Sequence, residues 1–215
     1  MKKIKSFLIV SITSLAVVSA TALYYNDFLN IKSNRQPSQV INIKHDWKNY
    51  SSVADLVSDA DLIVCGKVIS DNKPIKNELK VIINEDLPEA KKEQYKKELK
   101  SYEIVTESQI QISKIIKGSK NQDDIIRIQQ TGGTYENITE NVEDIRYLKN
   151  GEEAIFFLCK TDEADMYVPI NARQSHNYII SDKVMSNPND ELFISELNTD
   201  DFIKEIEGFV GQRGQ

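Results

Sequence analysis

Residues 104–116 alternate regularly enough to dictate an extended chain. Ile104, Thr106, Ser108, Ile110, Ile112 and Ile116 fall on one side, and Glu107, Gln109 and Gln111 on the other. A period of two with one apolar face implies a long, half-buried antiparallel strand. Lys117-Gly118-Ser119 supplies a turn, and Ile125 to Gln130 returns as the partner strand. Two further runs, Leu62 to Ile69 and Ala154 to Cys159, are apolar without alternation, the pattern of strands buried on both faces. Gly66 inside the first marks a bulge or a close backbone approach.

Shorter strands are expected at Leu79–Ile83, Met166–Ile170 and Tyr178–Ile180, the last turning through Ser181-Asp182-Lys183 into Val184-Met185. Thr131-Gly132-Gly133-Thr134 breaks a strand and opens a polar loop over Tyr135–Arg146. Helical pattern is sparse. Ser51 or Ser52 can cap a turn carrying Leu56 and Val57. Pro88 to Lys100 is rich in helix formers but has few apolar positions, which describes a solvated insertion. Thr199 caps a last helix whose Phe202, Ile203, Ile206 and Phe209 share a face. Together these elements predict a mainly β fold with small helices. The economical solution is an antiparallel barrel of five or more strands, OB-like, with one helical insertion and a C-terminal helix.

The ends set the address. Lys2, Lys3 and Lys5 precede the apolar run Phe7–Leu23, the order of an export signal. Cleavage after a small-residue site such as Ala20-Thr21-Ala22 would release the rest. Retention would leave one membrane helix over residues 7–23 with the bulk of the chain outside. Both fates place the remainder outside the cytoplasm, secreted or anchored to the cell membrane. Residues 1–23 are therefore the signal peptide or anchor, 24–50 a linker without period, and 51–215 a single barrel-like domain.

Three lysines and no acid leave with the signal, so a net charge of −6 becomes −9. An acidic surface disfavours nucleic acid, which needs clustered Lys and Arg. The two cysteines, Cys65 and Cys159, lie in apolar runs. They read as buried thiols or as a disulfide between neighbouring strands, and without clustered histidines they build no structural zinc site. Acidic residues from Glu136 to Asp144 lack an EF-hand register, so no metal and no cofactor is expected. No G-x-S-x-G, H-E-x-x-H or S-x-x-K motif occurs.

The densest polar patch that is not simply charged is Asn171 to Asn177. Arg173, Gln174, His176 and Asn177 could bind a carboxylate, sugar or phosphate if that loop lines a pocket. Otherwise it is an exposed connection between strands. His45 and Trp47 fall in the linker.

The succession LIVCGKVIS, SQIQISKIIKGS, RIQQTGG and YLKNGEEAIFFL resembles a recurrent layout of uncharacterised secreted or membrane-anchored proteins of Gram-positive bacteria. It is similar, more distantly, to the netrin-like module of tissue inhibitors of metalloproteinases. Gly66-Lys67-Val68, Lys117-Gly118 and Leu148 through Gly151 to Leu158 carry the likeness, over roughly residues 60–160. The resemblance implies a barrel. It implies no inhibitor mechanism, because that mechanism uses an N-terminal cysteine and none lies near the cleavage sites. The expected function is a non-enzymatic extracytoplasmic module that binds a protein or glycan of the cell envelope. The alternatives are a hydrolase using His176 with an acidic partner, or a structural envelope protein.

Overall fold

The computed structural model describes residues 39–78, 86–98, 102–187, 192 and 194–212. The apolar run Phe7–Leu23 and the strand expected at Leu79–Ile83 lie outside them. Val40–Gln215 forms one compact unit. Its strands are β1 (Gln39–Ile43), β2 (Leu62–Val68), β3 (Lys73–Glu78), β4 (Tyr102–Lys117), β5 (Ile125–Thr131) and β6 (Gly133–Tyr135). They continue with β7 (Ile138–Val142), β8 (Glu153–Lys160), β9 (Met166–Pro169), β10 (His176–Ile180), β11 (Lys183–Met185) and β12 (Ser195–Asn198). The helices are α1 (Val53–Asp59), α2 (Glu89–Glu98) and α3 (Thr199–Gly211).

Five strands close a barrel in the order β8-β2-β4-β5-β9 and back to β8. Four of its seams are antiparallel, and β5–β9, with Arg127 opposite Met166, is parallel. This is the Greek-key order of an OB-type barrel. Leu62, Val64, Ile110, Ile112, Ile126, Ile128, Phe156 and Leu158 fill its interior. Intervening residues of the same two strands, Ile63 and Cys65 on β2, Ile155 and Phe157 on β8, face outward into a second cluster. There they meet Leu56 and Val57 of α1 and Phe202, Ile203 and Ile206 of α3. Two-sided burial is why these strands read as unbroken apolar runs.

β4 departs from the simple alternation. Its ladder with β2 shifts register between Ile63 and Val64 and again between Cys65 and Gly66. Each extra residue turns the rest of the strand to the other face. Ile116 therefore packs with the helices, not beside Ile112 inside the barrel. Gly66 sits at this crossing, where a Cβ would lie 2.6 Å from Ile110 Cγ2 and 2.9 Å from the Gln111 carbonyl. Lys117 donates to the carbonyls of Val57, Ser58 and Ala60, capping α1. Gly118, at φ 104°, follows where a Cβ would meet Leu62 and the Asp61 carbonyl. The "G-x-V" and "K-G" signals are thus packing devices.

Several expectations change. The domain begins before Ser51: β1 pairs with β7, and Tyr50 is buried. Tyr135–Arg146 is no open loop but holds the turn of the β6–β7 hairpin, closed by Tyr135 opposite Ile138, and all of β7. β3 and β12 escape the sequence patterns because both are short and polar. α3 is capped by Asn198, whose Oδ1 accepts from Asp200 N at 3.0 Å, one residue before Thr199. α2, the helical insertion, sits between β3 and β4, with Tyr95 exposed.

Both cysteines are free. Cys65 pairs across from Ile155, and Cys159 lies four residues further along β8. At ~3.3 Å per residue the two are roughly 13 Å apart, beyond the ~7 Å limit for a bridge. The disulfide reading is therefore corrected: register, not chemistry, forbids it. Burial pushes the Cys65 thiol up to about 11.

Candidate functional site

β8 forks at Phe157. Its C-terminal half pairs with β9 and its N-terminal half with β10. The Phe157 N–H donates to the Ser175 carbonyl at 2.7 Å, and its own carbonyl accepts from Ile170 N at 3.2 Å. The chain between the two branches, residues 170–175, must therefore turn sharply outside the barrel wall. Asn171 builds that turn: its Oδ1 accepts from Arg173 N at 3.1 Å and from Gln174 N at 2.6 Å, imitating a backbone turn.

The turn is tied to the segment before α1. Gln174 Oε1 accepts from Tyr50 N at 2.9 Å, and its Nε2 donates to the Tyr50 carbonyl at 3.0 Å. Asn171 Nδ2 donates to the Lys48 carbonyl at 3.0 Å. These amides act as one rung of a sheet. They hold residues 47–50 as a strap across the β5–β9 wall.

Between strap, turn and wall lies a pocket of about 200 Å3. Trp47 from the strap and Ile145 from the connection after β7 cover it. Gln129, Gln130 and Thr131 of β5 and Val168 and Pro169 of β9 line it from the wall, and Asn171, Ala172 and Ser175 from the turn. No lining residue carries a charge. Several polar groups there are unused. Trp47 Nε1 is buried with no hydrogen-bond partner among the described residues. The Gln129 amide and the Thr131 hydroxyl make no side-chain hydrogen bond to a described residue either.

The polar patch singled out in the sequence lies at this site, but with different residues turned inward. Arg173 pairs with Asp144 at the rim. Gln174 is spent on the strap. His176 and Asn177 are buried ladder residues of β10, opposite Phe156 and Ile155. None of the four lines the pocket; their neighbours Asn171, Ala172 and Ser175 do. His176 is not in an exposed loop. Its ring packs edge-on against Tyr178 at 5.2 Å, near Phe156. Burial pushes its pKa down to about 4, with the Arg146 guanidinium adding to the shift. Arg146 lies 3.6 Å over the Tyr178 ring and pairs with Glu152 at 2.6 Å. Ser175 Oγ sits 2.9 Å from His176 Nδ1.

The acidic residues after Glu136 diverge. Glu140 is buried and accepts from Ile104 N at 3.1 Å, Glu143 faces Lys44 and Asp144 faces Arg173. Among the described residues no three His, Cys, Asp or Glu side chains gather as metal ligands. On the outer β4–β5 face, Arg127 is held by Glu163 at 2.5 Å and faces Glu107 at 3.7 Å.

Sequence reasoning missed Trp47, Gln129, Thr131, Ala172 and Ser175. One signal was present. Trp47 is the only tryptophan in the chain, an apolar residue stranded in an otherwise polar stretch. The chain matches no family model and no curated protein.

Proposed function

We propose that this chain is an extracytoplasmic binding module of OB-like architecture whose ligand site is the pocket under the Trp47 strap. The observation that carries this reading is the pocket itself: a concave, uncharged site on a closed barrel, with the buried Trp47 indole N–H unpartnered among the described residues. Binding sites characteristically combine apolar walls with a few unsatisfied polar atoms. The lysine-flanked apolar N-terminus supports an extracytoplasmic address. The carboxylates that hold Arg127 make its face a poor one for a phosphate backbone. The netrin-like likeness supports the barrel and lends no residue a role.

A hydrolase reading draws on one contact, Ser175 Oγ to His176 Nδ1. It is the weaker reading. The His176 ring meets Ser175, Phe156 and Tyr178, no carboxylate among the described residues bonds to it, and a base at about 4 extracts a serine proton poorly at neutral pH. A fluorophosphonate probe separates the two. The expected result is no adduct on Ser175; stoichiometric labelling there would make the chain an enzyme. The binding reading is tested by passing envelope fractions and secreted proteins over the full chain. Capture of a defined component that is lost in Ala172→Phe, which fills the pocket, is expected, and equal capture by both forms would refute the site.

A further inference from the structure

We propose that the pocket takes a small uncharged aromatic molecule of the phenol class, one ring with a single hydrogen-bonding substituent; this rests on reading the pocket as the ligand site. Size comes first. An apolar cavity of roughly 150 Å3 accommodates benzene, so about 200 Å3 accommodates a ring with a few further atoms. A disaccharide or nucleotide would have to lie largely outside it.

Charge comes second. The lining holds no Lys, Arg, Asp or Glu, and Arg173, next to Ala172 in the turn, is paired with Asp144. A carboxylate or ammonium entering the pocket would lose its hydration without compensation. The ligand is therefore neutral.

The walls decide between an aromatic ring and a sugar. Trp47, Ile145, Val168 and Pro169 supply much of the apolar lining. A pyranose carries several hydroxyls, each needing a partner, whereas the Gln130, Asn171 and Ser175 side chains are already bonded within the fold, which leaves Gln129 and Thr131 on one strand to serve one substituent. A phenolic oxygen both donates and accepts, which suits an amide beside a hydroxyl. The unpartnered indole N–H of Trp47 is a third group, of the donor type that ligand binding or local adjustment would satisfy.

The sole tryptophan makes the test local. In the 15N-labelled full chain, Trp47 contributes the one indole N–H resonance. Titration with p-cresol is expected to move that resonance saturably. Benzoate and benzylamine should bind at least about tenfold more weakly, and methyl β-glucoside should leave the resonance in place. Ala172→Phe should abolish the p-cresol response. Because that variant also strains the turn, Thr131→Val supplies a second reading: p-cresol weakens several-fold while toluene does not. A saturable response to the glucoside with p-cresol silent would overturn the ligand class and leave the pocket as a binding site. Silence to every compound would overturn both. A p-cresol shift that does not saturate, or that survives in Ala172→Phe, would place the effect outside the pocket and overturn the proposal.

Discussion

On the β2–β8 side of the barrel, α1 with Leu56 and Val57 and α3 with Phe202, Ile203 and Ile206 pack onto the outer face as one apolar cluster. On the β5–β9 side a strap and a turn, held by the Gln174 and Asn171 amides, stand over a wall they do not fill. The same barrel thus has one face closed by apolar burial and another closed by hydrogen bonds. Burial is non-directional and fills space, whereas an amide pair fixes two backbones at a set distance whatever lies between them. That difference is what leaves the space beneath the strap open.

The contrast breaks most visibly at Phe157, fully buried at the fork with its ring in the helix layer. Phe157→Ala is expected to cost about 3–5 kcal/mol in urea denaturation, with Trp47 emission unchanged until the whole domain unfolds. A cost below about 1 kcal/mol would mean that this layer is not closely packed.

Next in size is pH. The folded state holds His176 neutral with its pKa near 4, against an ordinary value of 6.5. The unfolded chain takes up a proton as pH falls through 6.5, and the folded chain does not until about 4. Stability is therefore complete above that range and declines between pH 6.5 and 4, by about 3 kcal/mol. Denaturation midpoints measured across that window should flatten in His176→Gln. A wild-type profile as flat as the variant's would show an imidazole already solvated.

Gln174→Ala sharpens the other side. It leaves Tyr50 N and O without partners and is expected to cost about 1–3 kcal/mol. Unlike Phe157→Ala, it should red-shift Trp47 emission in the folded protein, because the strap loosens before the barrel does. The smallest effect is expected at Lys44, which faces Glu143 at 3.6 Å with both side chains largely exposed. Lys44→Ala should change stability by less than about 0.5 kcal/mol in the same denaturation assay. A larger loss would mean that the β1–β7 pairing leans on this ion pair.

Much of the barrel was legible beforehand. The apolar runs at Leu62 and Ala154 announced two-sided strands, and two helices with Leu56-Val57 and Phe202-Ile203-Ile206 supply the second layer that such strands require. Ser181 and Asp182 marked a turn, and both take positive φ between Ile180 and Lys183. Ile116 was misread because a bulge is an unpaired residue in one strand, visible only against its partner. The candidate site was half legible. Asn171–Asn177 was singled out for polarity, but polarity does not say which members are consumed by the fold. Gln174 and Asn171 spend their amides on Tyr50 and Lys48, more than 120 residues away in sequence.

By itself the sequence determined the strand-rich class, the two doubly buried strands, the C-terminal helix face and the acidic, lysine-led character of the chain. These are local properties: side-chain period and composition act over a few residues. Barrel closure through the parallel β5–β9 seam, the separation of Cys65 from Cys159, the burial of His176 and the pocket beneath Trp47 were decided by tertiary structure alone. Each depends on which distant backbone lies alongside, and register and long-range hydrogen bonding leave no periodic mark in the chain.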